Sequence, residues 1–376
     1  MRILFTRFPL ESTLGGAEIQ TLSLIKGLSE RGHDVSFLGN CPVLTKAVAD
    51  YGLRITKLDI GIPPVTKWAA GSFIWRKRKM QQLLTHALEI RNPKSEIIVM
   101  LSLSEKLLLT EAAVAKGIRV FWIEHDRVGP WLKRNPWLRT LRKLSGSVTT
   151  ICVSELSRKI YVDLGWDAKK VVVIPNGIDL GRFAAGSGPH PQPFSPREKG
   201  AGTLKIGCIA RLSPEKGVDV LIKVVTDLSD ATLTIIGTGP DSKKIHNQLR
   251  RRNEETKKRI RILPVVSDVG TFYKLIDVLV LPSRDNDPFG LVAAEAMACG
   301  TPVIVTDQCG IAGYLTDGRD ALIVRADSVS SLQEAILRMQ DPDFRSRIAG
   351  HSEETVRRLF SLPAMTDAYE KLFTAN

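Results

Sequence analysis

The sequence predicts an α/β protein made of two Rossmann-like domains that face each other across a central interdomain cleft. Three observations carry this expectation. Short apolar runs alternate with helical patterns up to about residue 180; residues 184–203 break the pattern with a crowd of Gly, Pro, Ser and Ala; the same alternation then resumes.

In chain order, residues 2–8 (RILFTRF) read as a first strand. Gly15-Gly16-Ala17-Glu18 opens a helical pattern through Leu22, Ile25 and Leu28 that stops at Gly32, and VSFLG (35–39) is the next strand. Strand, glycine loop, helix, strand is the repeating unit of a parallel sheet. Further strands are expected at EIIVML (96–101), VFWIEH (120–125), TTICVS (149–154) and KVVVIP (170–175). After the break come LKIGCIAR (204–211), ATLTIIGTGP (231–240), RIRILPVV (259–266), DVLVLPS (277–283) and TPVIVTD (301–307), with helices over 218–228, near 241–251 and over LVAAEAMAC (291–299). The implied division is a first domain over 1–180, a linker or flexible insertion over 181–203, and a second domain over 204–357.

At 376 residues, with 43% hydrophobic and 25% charged residues, the chain has room for two cores and the composition of a soluble globular protein. It has no run of about 18 apolar residues, so no transmembrane helix is expected. The apolar stretch at the N-terminus is too short for a secretory signal. Five scattered cysteines without a C-x-x-C pair fit a reducing cytoplasm and argue against a structural zinc site. The net charge of +13 is uneven: residues 1–180 hold 27 Lys and Arg against 16 Asp and Glu, and residues 181–376 hold 26 against 24. A basic face on the first half suits nucleic acid, an anionic membrane or an anionic substrate.

Asp287 and Glu295 stand eight positions apart, with Pro288-Phe289-Gly290 directly after the first. LVAAEAMAC is rich in helix formers and Gly300-Thr301-Pro302 supplies its stop, so the unit is strand, acidic loop, helix. Unpaired N–H groups and the positive end of the dipole at such a helix start can hold a phosphate. An apolar face accounts for Leu291, Ala294 and Ala298, whereas Glu295 among small residues needs a partner if buried. Arg211 leaves the carboxyl end of the strand IGCIAR, and Lys216 follows at a helix start. Two cations at that edge suit a diphosphate; an Arg and a Lys in a solvated loop is the plain alternative. Gly237-Thr238-Gly239-Pro240 ends another strand, but Ser242 breaks the G-x-G-x-x-G fingerprint, and no G-x-x-x-x-G-K-[ST] occurs. Asp285-Asn286-Asp287 spells D-x-D, a short pattern able to hold a divalent cation; with Arg211 and Lys216 available to neutralise charge, no metal is expected. His125, after the strand VFWIE, faces the ligand edge of the sheet by the same geometric rule, a capping or core histidine being the alternative.

Taken in order, GGAE (15–18), His125, VIPNGID (173–179), RLSPEKG (211–217), GTGP (237–240), LPS (281–283) and DPFGLVAAEAMACGTPV (287–303) resemble the retaining GT-B glycosyltransferases of family 4, also described as glycosyl transferases group 1. The resemblance runs over nearly the whole chain outside 184–203. It implies a GT-B fold whose C-terminal segment, about 358–376, crosses back onto the first domain. It also implies transfer of a hexose-type sugar from a nucleotide-diphosphate sugar, with UDP foremost, to a saccharide or lipid-linked acceptor in bacterial lipopolysaccharide or polysaccharide assembly. Retention at the anomeric carbon and the absence of a metal or other cofactor belong to the same implication. By it, Glu295 holds the donor's ribose hydroxyls and Asp287, where the family usually has Glu, faces the donor sugar. Arg211 and Lys216 neutralise the diphosphate, backbone N–H groups of Gly290, Leu291 and Gly16 contact phosphate, and His125 lies near the reacting sugar. Pro264 stands where the family usually has a Gly beside the base.

Lys67, Trp68, Phe73, Trp75 and Arg76-Lys77-Arg78-Lys79 form one aromatic and basic cluster, and Trp131, Lys133, Arg134, Trp137, Arg139, Arg142 and Lys143 form another. Such surfaces suit an anionic membrane, which sets the expected location as cytoplasmic, peripheral on the inner face of the membrane. Two rival readings compete. A sugar-nucleotide epimerase of the same architecture has no reason for the D-x7-E helix. A basic nucleic-acid-binding module explains the charge but neither Glu295 nor the cation pair, and no RRM, KH or helix-turn-helix signature occurs, so no nucleic-acid partner is expected.

Overall fold

The computed structural model describes residues 1–8, 15–78, 96–184, 202–266 and 268–375. They form two compact units, one of Met1–Gly177 with Leu362–Asn376 and one of Ile178–Ser361.

The first unit carries a seven-stranded sheet of order β3-β2-β1-β4-β5-β6-β7. Its strands are β1 (Arg2–Arg7), β2 (Asp34–Gly39), β3 (Arg54–Lys57), β4 (Ile97–Met100), β5 (Arg119–Glu124), β6 (Thr149–Cys152) and β7 (Val171–Val173). The second carries a six-stranded sheet of order β10-β9-β8-β11-β12-β13, from β8 (Leu204–Ile209), β9 (Ala231–Ile236), β10 (Ile260–Leu263), β11 (Val278–Leu281), β12 (Val303–Thr306) and β13 (Leu322–Val324). All these pairings are parallel. IIVM of β4 and VLVL of β11 are buried at every position, as strands covered by helices on both faces must be. In each sheet the strand order reverses once, between β1 and β4 and between β8 and β11, and such a reversal opens a crevice at the strands' carboxyl ends.

The C-terminal helix Leu362–Thr374 belongs to the first unit. Met365, Tyr369 and Phe373 join the core around Ile3, Phe5 and Leu24, and Arg119 holds the helix end through the carbonyls of Leu372, Phe373 and Ala375. Burying Met and Phe side chains such as these contributes on the order of 1.5–3 kcal/mol each.

The passages between the units fall at 177/178 and 361/362, where the sequence suggests 180 and about 358. Ile178 N–H donates to the Phe360 carbonyl at 2.7 Å, so the two passages run side by side. Leu180, expected in the first domain, and residues 181–184, expected as the start of a linker, instead form a helical turn of the second unit, Leu180–Ala184, because Phe183 buries itself against Tyr273. Residues 185–201 of the expected linker lie outside the described residues.

Candidate functional site

In the second unit the chains leaving β8 and β11 flank the strand reversal. Gly217 makes their contact possible: its φ is +63°, and a Cβ there would stand 2.0 Å from the Pro282 carbonyl. Arg284 ties the two loops together. Its N–H donates to the Glu215 carbonyl at 2.8 Å, and its guanidinium reaches the Pro214 carbonyl at 2.7 Å, Asp219 at 3.0 Å and Asp327 at 2.7 Å. Asp287 is fixed through its backbone, donating to Gln308 and accepting from Gly310, both at 2.8 Å.

This framework brings Lys216 Nζ to 2.6 Å from Asp287 Oδ2, with side-chain exposures of 24% and 12%. Ser283 Oγ donates to the same carboxylate oxygen at 3.3 Å. Arg211 stands differently, 66% exposed and paired with Glu215 at 2.9 Å. Gly-Thr-Gly-Pro serves close backbone packing, since Cβ atoms at Gly237 and Gly239 would lie 1.9 Å from the Ala210 carbonyl and 2.3 Å from the Leu212 carbonyl. Asp285 is exposed and Asp287 turns to Lys216, and among the described residues no group of three or more His, Cys, Asp and Glu side chains is placed to hold a metal ion.

The helix Leu291–Ala298 starts beside this pair, with Gly290 as N-cap at φ +92°. Its first N–H groups have no intrahelical partner and carry the positive end of the dipole. Ala293, Ala294, Ala296, Met297 and Ala298 are buried, and Glu295 is half-buried, with Tyr273 Oη donating to its Oε2 at 2.7 Å. Burial raises the Glu295 pKa above the ordinary carboxylate value, opposed by the Tyr273 hydrogen bond and the charge of Arg182.

The first unit holds His125 and Gly16, the latter as first residue of the helix Gly16–Glu30. Arg7, at the end of β1, is buried and meets Glu18 of that helix at 2.5 Å. Its Nε and Nη1 have no partner among the described residues. Nearby, Glu124 takes an ion pair from Lys106 at 2.8 Å and a hydrogen bond from Tyr161 at 2.6 Å. Arg7, Lys106, Glu124 and Tyr161, with Trp122, Trp131 and Trp166, line a cavity of about 260 Å³. Both ring nitrogens of His125 are buried without a partner among the described residues. Burial first, then the charges of Arg7 and Lys106, push its pKa down to about 3, so the imidazole is neutral at physiological pH.

The two aromatic and basic clusters divide on the structure. Phe73 is fully buried and meets the Trp137 ring edge-on at 5.4 Å, and Trp137 Nε1 donates to the Ala70 carbonyl. These two rings therefore join helical residues 67–78 to the second cluster instead of facing solvent. Arg76 and Arg142 are likewise spent on the carbonyls of Ile60, Ile62 and Leu164. Trp68 and Trp75, two helical turns apart, are 91% and 88% exposed, and Ile62 and Ile74 are exposed beside them in sequence. Lys79 lies outside the described residues. No helix among the described residues is long and apolar enough to cross a membrane.

Sequence reasoning missed Tyr273, Arg284, Arg7 and the Lys106–Glu124–Tyr161 group. Glu124 alone had a signal, as the residue before His125 at a strand's carboxyl end.

Residues 203–341 match the family model described as glycosyl transferases group 1, and residues 14–182 match that of glycosyltransferase family 4. The chain is 28% identical over 358 residues to the phosphatidyl-myo-inositol mannosyltransferase of Mycolicibacterium smegmatis, covering 92% of this chain and 86% of the relative. It is 33% identical over 226 residues to the D-inositol 3-phosphate glycosyltransferase of Corynebacterium jeikeium, covering 56% of this chain and 53% of the relative. Among solved structures, Anabaena Alr3699/HepE in complex with UDP superposes with a TM-score of 0.78 at 18% identity, covering all of both chains. WaaG, a glycosyltransferase involved in lipopolysaccharide biosynthesis, superposes with a TM-score of 0.68 at 15% identity, also over the whole of both. The fold is thus the GT-B fold.

Proposed function

Because the chain belongs to the group 1 and family 4 glycosyl transferases, by models that together span most of its length, we propose that it transfers a hexose-type sugar from a nucleotide-diphosphate sugar with retention and without a metal. The observation that carries this is the Lys216–Asp287 pair, at 2.6 Å, set at the strand reversal of the second sheet beside the start of the helix bearing Glu295.

In this reading the diphosphate lies against the N–H groups of Gly290 and Leu291 and draws Lys216 from Asp287. Glu295 accepts the ribose hydroxyls, a task for a carboxylate with one oxygen uncommitted. The acceptor hydroxyl attacks the anomeric carbon on the face from which the diphosphate departs, the carbon–oxygen bond to phosphate breaks, and the leaving phosphate takes the hydroxyl proton. Charge grows on that phosphate as the bond breaks, so Lys216, Arg211 and the helix start stabilise the transition state more than the ground state. Asp287, once released, faces the sugar. For neutral His125, whose ring nitrogens are buried in the first unit, a place near the sugar rests on the family resemblance alone. For Gly16 of the first unit, a phosphate contact likewise rests on the family resemblance alone.

UDP is the nucleotide favoured, by analogy with the UDP complex of the HepE structure. The phosphatidyl-myo-inositol in one relative's name and the lipopolysaccharide biosynthesis in the description of WaaG favour a lipid-linked or saccharide acceptor. The first-unit cavity, with aromatic walls and both donors and acceptors, suits one hydroxylated ring of it. Exposed Trp68 and Trp75 on a basic first half support attachment to an anionic membrane surface, on the cytoplasmic face.

The test is incubation with UDP-, GDP- and ADP-sugars and a bacterial lipid extract in EDTA, with labelled sugar followed into the lipid and the new anomeric centre read by NMR. Transfer with the donor's own anomeric configuration is expected. A sugar nucleotide changed without any acceptor would establish the epimerase alternative.

A further inference from the structure

Glu295 is held from below by a residue no sequence motif singles out. Tyr273 sits on the helix Val269–Leu275, is fully buried, and has its carbonyl tied down by Thr301 Oγ1 at 2.8 Å. Phe183 and Phe272 flank its ring, with centroids at 6.4 and 6.2 Å. A phenol so confined has little freedom, and its hydroxyl has one use here: it donates to Glu295 Oε2 at 2.7 Å. The carboxylate's other oxygen has no hydrogen-bond partner among the described residues.

We propose that Tyr273 is a positioning residue for the nucleotide's ribose: by occupying Oε2 it fixes the Glu295 rotamer and turns Oε1 outward as the acceptor for ribose hydroxyls. This rests on the donor-site reading above. The geometry separates it from a packing role, since the packing of the ring needs no hydroxyl, and a Phe would fill the same volume. The hydrogen bond also opposes the upward push of burial on the Glu295 pKa, as the charge of Arg182 does, and so favours the accepting carboxylate form.

The experiment compares Tyr273→Phe and Glu295→Ala with wild type by calorimetric titration, using UDP, GDP and ADP and the 2′-deoxy form of whichever binds, from pH 5.5 to 8. Wild type is expected to favour the ribonucleotide. Tyr273→Phe is expected to lose most of that preference, about tenfold as for one charge-assisted hydrogen bond, while binding the 2′-deoxynucleotide nearly as wild type does. Its ribonucleotide binding is also expected to weaken at a higher pH on acidification than that of wild type, and unfolding curves of the two should coincide within a few degrees. A Tyr273→Phe variant that keeps the ribose preference, or weakens ribo- and deoxynucleotide alike, overturns the proposal while leaving the donor site standing. Wild type without ribose preference, and a Glu295→Ala variant that binds as well, overturns it together with the ribose reading of Glu295.

Discussion

Lys216→Met and Asp287→Asn should act in opposite directions on nucleotide binding. At 2.6 Å, two unit charges in an effective dielectric of about 20 attract by roughly 6 kcal/mol, most of it offset by desolvation of the two partly buried groups. In the proposed function Lys216 exchanges Asp287 for the diphosphate, so its removal should forfeit one charge-assisted contact, about 1.5–3 kcal/mol, or roughly 10- to 150-fold in Kd. Lys216→Met also leaves the Asp287 carboxylate uncompensated beside the incoming diphosphate, which pushes the loss toward the upper end. Asp287→Asn removes the anion that competes for Lys216, so nucleotide should bind at least as tightly as to wild type, while sugar transfer falls because no carboxylate faces the sugar. The assay is calorimetric titration with UDP, GDP and ADP at 0.1 M salt, paired with the transfer assay. If Asp287→Asn weakens nucleotide binding as much as Lys216→Met, or if Lys216→Met binds like wild type, the exchange of partners is wrong.

Three further outcomes are expected. Glu105 is fully buried and its pKa is raised to about 7, by burial, against an ordinary value of 4.5, so its contribution to stability is complete below pH 4.5 and lost as pH rises to about 7; Glu105→Gln, which can still accept from Ser102 N–H, should gain in Tm relative to wild type between pH 5 and 8, and a constant difference would refute this. His125 has a pKa lowered to about 3, so its contribution is present above the unfolded value of 6.5 and fades as pH falls; His125→Gln should gain in Tm on wild type below pH 6, and the pH profile of wild-type turnover should carry no limb that this substitution removes. Trp68→Ser with Trp75→Ser should cut sedimentation with anionic vesicles severalfold and leave Tm within about a degree, since the rings are 91% and 88% exposed; unchanged sedimentation would count against membrane attachment.

Much of the fold was legible because buried parallel strands are continuous apolar runs, as in IIVM of β4 and VLVL of β11. The edge strand β3, RITK, escaped notice because its side chains are exposed or half-buried and lack the alternation that marks a strand; β13 is only three residues long. At the candidate site, Lys216, Asp287 and Glu295 stood out through their placement around strand ends and a helix start. Their supports did not. Tyr273 meets Glu295 across 22 positions, Arg284 meets Asp219 across 65, and Glu124 meets Tyr161 across 37, so each contact exists only once the sheet is assembled. The surface clusters show the converse limit: Phe73 and Trp137 share composition with Trp68 and Trp75, and tertiary packing alone turns the first two inward.

The most direct measurement is calorimetric titration of wild type and Glu295→Ala with UDP, GDP and ADP, each with and without EDTA. The expected result is one nucleotide that binds wild type equally well in EDTA and binds Glu295→Ala at least tenfold more weakly. Binding that disappears in EDTA would contradict the metal-free site, and a wild type that binds none of the three would contradict a nucleotide site at the second strand reversal altogether.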